Sequence, residues 1–448
     1  ATWSPDGREI AFARGDSLLV TPVAGDRSRF LARSRDTHSC AWAPDARWIA
    51  CVVLNSESVT PGVSFGNLAP SAIDLFPAAG GPAVRLVEPT AFNQSPVWVH
   101  GVRDRLLFVS NRDGPRDVYA IDLSASGQPR RAPARLTTGL GALSISLSAD
   151  DSRLVYAVYA ARANIWSLPI PAHPPVTDAL ATQLTSGSQV IEAMRVSWDG
   201  RWLLYDSNLR GNSDIYRMPL AGGAPEQLTD NPADEFAPDL SPDGTLLAYH
   251  SWRTGTRDIE VKPLDGGPVQ RITDTPAQES YPRWSPDGRS LAYYDQVPPR
   301  TLYVVHRDAA GHWSAPVAVA PTATGDFWSP DGRWLAYRGT NADEAGAIWV
   351  VPAGGGTPRR VFTPSPTAPP AGGLEWSTDG TTLYYKAHDA LGRTSFWAVP
   401  AAGGTPRLLV RFPDPDRQSN RSDFASDATR LYFAIEDRQS DVWVAELK

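Results

Sequence analysis

The sequence predicts an all-β chain, a β-propeller of about ten four-stranded repeats. Three observations predict it. A Trp-Ser-Pro-Asp-Gly phrase followed by a short apolar run recurs from one end of the chain to the other. A second phrase, a Gly-bearing turn leading into a strand of the type Asp-Ile-Tyr, follows most copies. No stretch carries sustained apolar spacing at the helical period.

The first phrase reads WSPDG at Trp3, Trp284 and Trp328, LSPDG at Leu240 and WSTDG at Trp376. Weaker copies start at Trp42 (WAPDA), Leu147 (LSADD), Val196 (VSWDG) and Phe424 (FASDA), and a rewritten one at Trp98 (WVHGVRD). These ten anchors are separated by 39 to 56 residues, a period that marks a repeat architecture. Pro fixes φ at the first corner of a type I turn, Asp suits the second, and Gly supplies the left-handed residue. Each copy therefore reads as a hairpin with a Pro-Asp-Gly loop. In that register Ser329 faces Arg333 and Trp328 faces Trp334, with Leu335 and Tyr337 on the other face. Both faces of the second strand are apolar, so each sheet must be covered on both sides.

The third strand follows, as in SNRDGPRDVYAIDL (Ser110–Leu123), SNLRGNSDIYRMPL (Ser207–Leu220), SWRTGTRDIEVKPL (Ser251–Leu264) and RQSDVWVAEL (Arg438–Leu447). A Gly-Gly turn (Gly222-Gly223, Gly266-Gly267, Gly354-Gly355, Gly403-Gly404) leads to a short fourth strand. Several of these fourth strands end in Leu-Thr or Ile-Thr, at Thr137, Thr185, Thr229 and Thr273. Four short strands per repeat, iterated, are the signature of a propeller.

Ten repeats exceed the usual four to eight blades. A single ten-bladed ring spanning residues 1–448 is favoured, because no charged or Pro-rich break divides the chain. The alternative is two rings, the first incomplete at its N-terminal side. The last repeat ends after its third strand, which predicts a three-stranded final blade. The missing outer strand would come from residues before Ala1. The longest separation, Trp42 to Trp98, reads as an insertion in the second repeat. Cys40 and Cys51 are the only cysteines. In the hairpin register above they point to opposite faces, which predicts free, buried thiols. A slip of one residue, which Ala46 in place of the turn Gly would permit, brings them together.

Of the 448 residues, 42% are hydrophobic and 20% charged, and the net charge is −7. Lys occurs only at Lys262, Lys386 and Lys448. The absence of a basic stripe speaks against nucleic acid as a partner. No apolar run is long enough to span a bilayer, so no direct membrane insertion is expected within the chain.

WSPDG, SNRDGPRDVY, NSDIYRMPLAGGAPEQLT and AGGTPRLLV resemble the TolB-type, WD-repeat-like propeller over essentially the whole chain. RANIWSLPIP (Arg162–Pro171) and the segment Leu408–Leu447 resemble the C-terminal region of bacterial membrane-anchored serine/threonine kinases. In those proteins a cytoplasmic kinase domain and one membrane span precede an extracytoplasmic propeller. The resemblance implies a non-catalytic sensor or binding domain outside the cytoplasm, for a protein, peptide or small ligand. Related propellers also occur in prolyl oligopeptidase-type enzymes, as substrate gates, and in TolB-like assembly scaffolds, so fold alone does not fix function.

The sequence carries no kinase signatures: no phosphate loop, no His-Arg-Asp and no Asp-Phe-Gly. A G-x-S-x-G match, Gly62-Val63-Ser64-Phe65-Gly66, lies in the second-repeat insertion with no α/β domain to use it, and reads as a loop. The seven His are scattered and no zinc spacing exists, so neither a metal nor a cofactor is expected. The turn carboxylates (Asp6, Asp45, Asp150, Asp199, Asp243, Asp287, Asp331, Asp379, Asp427) suggest a calcium array. One Asp per blade lies too far from the next, so turn bonding explains them better. Asp117, Asp214, Asp258 and Asp441, ahead of third strands, read as capping residues in the same way. The candidate binding surface is the channel mouth. There Glu192, Glu235 and Glu279 fall four or five residues before their anchors, with Phe236, Tyr281 and Arg421 nearby. They are expected to form an acidic sector for a basic peptide or polar ligand, against the alternative of solvated loop carboxylates.

Overall fold

A computed structural model describes residues 1–25, 27–34, 36–55, 70–254, 256–296, 300–341 and 344–447. The fold is all-β, and its sheets are mostly four-stranded and antiparallel, with Val176–Thr177 added in parallel to Arg407–Arg411 at the edge of one of them. The Gly62–Gly66 match lies outside the described residues.

The chain divides into two compact units, one of Ala1–Ala160 with Arg438–Lys448, the other of Ala161–Asp437. This corrects the expectation of a single ten-membered ring. In the second unit five sheets follow the repeat: they start at the inner strands Met194–Val196, Glu235–Leu240, Glu279–Trp284, Ala323–Trp328 and Ala371–Trp376. The sixth is composite. Phe424–Ser426 pairs with the beginning of Arg430–Glu446, which lies beside the end of Arg153–Pro169, which in turn pairs with Thr182–Gln183. Each inner strand neighbours the next, and Phe424–Ser426 neighbours both Ala371–Trp376 and Met194–Val196, so the cycle of six closes.

The composite sheet also corrects the three-stranded final blade: the fourth repeat supplies its outer strands. The Arg430 guanidinium donates to the Ser167 hydroxyl at 2.8 Å, and the Ile170 N–H donates to the Thr429 carbonyl at 2.7 Å. The cause is local. Arg153–Pro169 and Arg430–Glu446 are each 17 residues long, because neither contains the Gly-bearing turn that splits the second and third strands elsewhere.

In the first unit four sheets follow in chain order. Their inner strands Thr2–Trp3, His38–Trp42, Asn93–Trp98 and Ala142–Leu147 neighbour one another in that sequence.

The turn phrase works by a repeated hydrogen-bond scheme. In one copy Ser329 Oγ donates to Asp331 at 2.6 Å and accepts the Trp334 N–H at 3.0 Å. Ser4, Ser148, Ser197, Ser241, Ser285 and Ser377 donate in the same way, to Asp6, Asp150, Asp199, Asp243, Asp287 and Asp379. The Asp is therefore a turn residue. Among the described residues no group of His, Cys, Asp and Glu could hold a metal ion.

The loop is one residue longer than a Pro-Asp-Gly hairpin. Ser329 pairs with Trp334, and Trp328 with Leu335 rather than with Trp334. The same register in the second repeat pairs Trp42 with Ile49 and Ala41 with Ala50, and it sets Cys40 opposite Cys51. The two cysteines form a disulfide, which corrects the expectation of free thiols. Ala46, at φ 63°, adopts the conformation that Gly takes in the other copies.

The anchors pack between sheets. The indole N–H of Trp98, Trp328 and Trp376 donates to the carbonyl of Ala41, Arg283 and Phe327, respectively. Each acceptor is the residue just before the anchor of the preceding repeat. The terminal Thr of the fourth strand ties that strand to the third. The hydroxyls of Thr137, Thr229 and Thr273 accept the N–H of Val118, Ile215 and Ile259. Asp117 and Asp258 cap the same corner through Thr137, Arg135 and Arg271, as the capping reading expected.

Candidate functional site

The hub of the second unit gathers six side chains, each from the position before an anchor: Arg195, Asp239, Arg283, Phe327, Glu375 and Asp423. Strand alternation sends the anchor between sheets and leaves its predecessor at the hub. All six are buried. The Arg195 guanidinium donates to the Glu375 carboxylate and lies 3.8 Å from that of Asp239. Arg283 lies 3.9 Å from Asp423, which belongs to the sheet three places away in the cycle. Both guanidiniums face the Phe327 ring, at 5.8 and 5.9 Å from its centroid. The hub is thus spanned by ion pairs between non-adjacent sheets, and partner removal there leaves a charge stranded.

Electrostatics follow from burial. Two guanidiniums face three carboxyls. Burial pushes the Glu375 carboxyl up to about 7, against the pull of Arg195 and Arg283. Asp239 and Asp423 are raised by the same cause. The turn carboxylates behave oppositely: the Ser329 hydroxyl holds Asp331 below its ordinary range.

The residues expected at the channel mouth lie in or beside the inner strands and are mostly buried. Glu192 is 3.6 Å from Arg421, which also pairs with Glu436. Glu235 accepts from Asn231, lies 3.4 Å from Arg253 and is pushed up to about 7 by burial. Glu279 accepts from Thr275 and is raised by burial. Phe236, His250, Tyr281 and Tyr294 form a column of rings with centroids 5.7 to 5.8 Å apart. The structure therefore brings Glu192 to Arg421 and joins Phe236 to Tyr281 through His250. It holds Glu235 and Glu279 in separate sheets. Neither the open acidic sector nor the solvated-loop alternative describes them. The reason is register: Glu235–Leu240 and Glu279–Trp284 are themselves strands, so these carboxylates are packed, not looped.

The sequence reading missed Lys386 and the hub charges. Lys386 is buried, donates to Ser419 Oγ at 2.6 Å and to the Arg421 carbonyl, and is pushed down to about 7 by burial. Its signal was available, since it is one of three lysines and sits inside the apolar run Leu-Tyr-Tyr-Lys-Ala. The hub charges were legible as a charge recurring one residue before the anchor.

Among the described residues of the second unit, a small cavity and two grooves open to the surface. A small cavity of ≈ 30 Å³ beside the hub is lined by Tyr281, Tyr294, Phe327, Arg338, Gly372 and Asp423. On the turn side, a groove of ≈ 640 Å³ runs between the turns at Pro286 and Pro330, near His306 and Arg307. Another, of ≈ 480 Å³, runs between the turns at Pro330 and Asp379, near Trp334 and Arg359.

Residues 142–314 match the PD40 family, the TolB beta propeller domain. Among solved structures, a putative TolB from Agrobacterium tumefaciens is 21% identical, with 62% of this chain and 99% of that one covered and a TM-score of 0.47. TolB from Acinetobacter baumannii is 16% identical, with 91% and 82% covered and a TM-score of 0.31. Oligogalacturonate lyase from Vibrio parahaemolyticus is 14% identical, with 68% and 88% covered and a TM-score of 0.38. No curated protein matches. Among the described residues no helix is long and apolar enough to cross a membrane.

Proposed function

We propose that this chain is a non-catalytic, extracytoplasmic binding domain, the sensor part of a bacterial membrane-anchored serine/threonine kinase. Its ligand is a protein, peptide or small molecule held at the mouth of the second unit's hub, beside Tyr281, Tyr294, Arg338 and Asp423. The observation that carries the binding reading is the filled hub. Arg195, Asp239, Arg283, Glu375 and Asp423 are committed to one another, so a partner meets the rim and does not pass through. A substrate gate for a peptidase needs an open bore, which makes that reading the weaker one. The Cys40–Cys51 disulfide supports an oxidising compartment outside the cytoplasm.

Alkylation trapping in intact cells tests the location. Cys40 and Cys51 should resist a thiol reagent until reduced, and thiols free in the cell contradict it. The coding sequence adjoining Ala1 tests the kinase reading: a kinase domain followed by an apolar span supports it, and a hydrolase domain contradicts it.

A further inference from the structure

The second strands of the second unit repeat a titratable position ten residues after the anchor: Asp206, His250, Tyr294, Arg338 and Lys386, in five consecutive sheets. Three of these groups reach forward to the next sheet and are satisfied there. Asp206 accepts the Ala237 N–H at 3.3 Å, besides those of Glu192 and Ala193 in its own sheet. His250 Nδ1 accepts the Tyr281 N–H at 3.3 Å. Lys386 donates to Ser419 Oγ and to the Arg421 carbonyl.

Arg338 differs. Among the described residues its guanidinium donates once, to the Ala371 carbonyl at 3.3 Å. Its buried Nε has no partner, and no described carboxylate forms an ion pair with it. Burial and the neighbouring Arg300 both act against its charge. A charge held in that way costs stability until something compensates it. The small cavity beside the hub is where compensation can come from, because Arg338 lines it. Gly325, Gly372 and Gly373 line it too, so no side chain fills it from their side. Tyr281 and Tyr294, with ring centroids 5.7 Å apart, add a flat wall. Its volume of ≈ 30 Å³ holds about two water-sized groups. Water fits that space but brings no charge, whereas the two oxygens of a carboxylate fit it and do.

We propose that this cavity is a carboxylate subsite, in which Arg338 receives an acid group of the ligand, from a peptide or from a free organic acid. The inference rests on the binding reading above and adds the ligand's chemistry to it. The planar guanidinium presents its Nε–H and a terminal N–H as a fork, which a carboxylate accepts with both oxygens. The body of the ligand lies outside, over the mouth, because the cavity admits only the acid group. Asp423 also lines the cavity, but its carboxyl faces Arg283 at 3.9 Å and burial raises it towards the neutral form, so it leaves the Arg338 charge open to a ligand.

Saturation-transfer NMR on the full chain tests this, with acetate, acetamide and methylammonium, and with a trialanine peptide as free acid and as C-terminal amide. Acetate and the free acid should bind, and acetamide and the peptide amide should bind about tenfold more weakly or worse. Arg338→Gln should weaken acetate by the same factor. Arg338→Met should leave the melting temperature in ligand-free buffer at or above that of the wild type, because no ion pair is lost. A preference for the peptide acid over acetate assigns the source to a chain end, and equal affinity assigns it to a free acid. No acetate binding, acetate binding unchanged in Arg338→Gln, or a melting temperature that falls as far as in Arg195→Met would overturn the proposal. Equal binding of acid and amide, or methylammonium in place of acetate with loss in Asp423→Asn, would overturn the carboxylate and leave the binding reading standing. That reading falls instead to a hydrolase domain in the coding sequence adjoining Ala1.

Discussion

Trp3 and Trp328 open the same five-residue phrase in different units, and they fare differently. Both turns close with the same Ser-to-Asp hydrogen bond, at 2.7 Å in the first and 2.6 Å in the second. Trp328 is 5% exposed and its indole N–H reaches the Arg283 carbonyl, while Trp3 is 58% exposed. The phrase therefore dictates the hairpin, and the neighbouring sheet decides what the anchor contributes. In the closed cycle of the second unit five of the six anchors are buried and Val196 is partly so, whereas Trp3 in the first unit is exposed.

The sharpest break of this comparison is paired truncation. Trp328→Ala should cost the second unit about 3–5 kcal/mol, through lost burial and a cavity. Trp3→Ala should stay within about 0.5 kcal/mol. Equal losses in urea unfolding would remove the distinction. The charges divide in the same way. Arg195→Met strands Glu375 and Asp239 in the hub and should cost about 3–5 kcal/mol. Arg47→Met in the first unit removes a half-exposed pair with Asp104 and should cost about 1 kcal/mol or less.

Replacing Cys40 and Cys51 with Ser opens a crosslink between residues 11 apart. It should cost about 3 kcal/mol, and only in the first unit's unfolding transition. A loss in the second unit's transition would show that the units do not unfold independently.

In the second unit the pH dependence has two limbs. The Glu235 and Glu375 carboxyls stand above their ordinary value, up to about 7, so the folded state holds their protons more tightly. That contribution is whole below the ordinary value of 4.5 and is lost as pH rises through about 7. Lys386 is depressed to about 7, so its contribution is present at high pH and is lost as pH falls towards 7. The second unit's melting temperature should therefore fall from mildly acidic to neutral pH and recover above it. Glu375→Gln should flatten the acidic limb, and an unchanged profile in that variant would refute the assignment.

The smallest contrast is at the turn glycines. Gly332 and Gly7 have the same left-handed φ, at 70° and 71°. A Cβ at Gly332 would lie 3.3 Å from Pro286, whereas one at Gly7 meets nothing within 4 Å. Both Ala variants carry the left-handed cost of about 1–2 kcal/mol. Gly332→Ala should exceed Gly7→Ala by the added crowding in chemical denaturation.

The repeat, its four strands and the bonding of the turn Asp and the strand-capping Asp were legible, because each is written locally in residues a few positions apart. The division into units was not. It depends on two strands without a turn, and their partners lie more than 250 residues apart, as with Ser167 and Arg430. The disulfide was missed by one residue of loop length. The expected site residues were placed in loops because a charged residue ahead of an anchor reads as solvated. In Glu235 and Glu279 that charge sits inside the strand and is buried. The hub charges escaped for the converse reason: Arg195 and Glu375 lie 180 residues apart and meet only when the cycle closes.

Closure of that cycle is the central claim, and hydrogen exchange at Ile170 in the intact chain tests it most directly. Its amide bonds across the composite sheet, to Thr429. Protection as strong as that of the amides in Leu246–Ser251 is the expected result. Exchange at the rate of an unpaired strand edge would mean that the second unit does not close on itself.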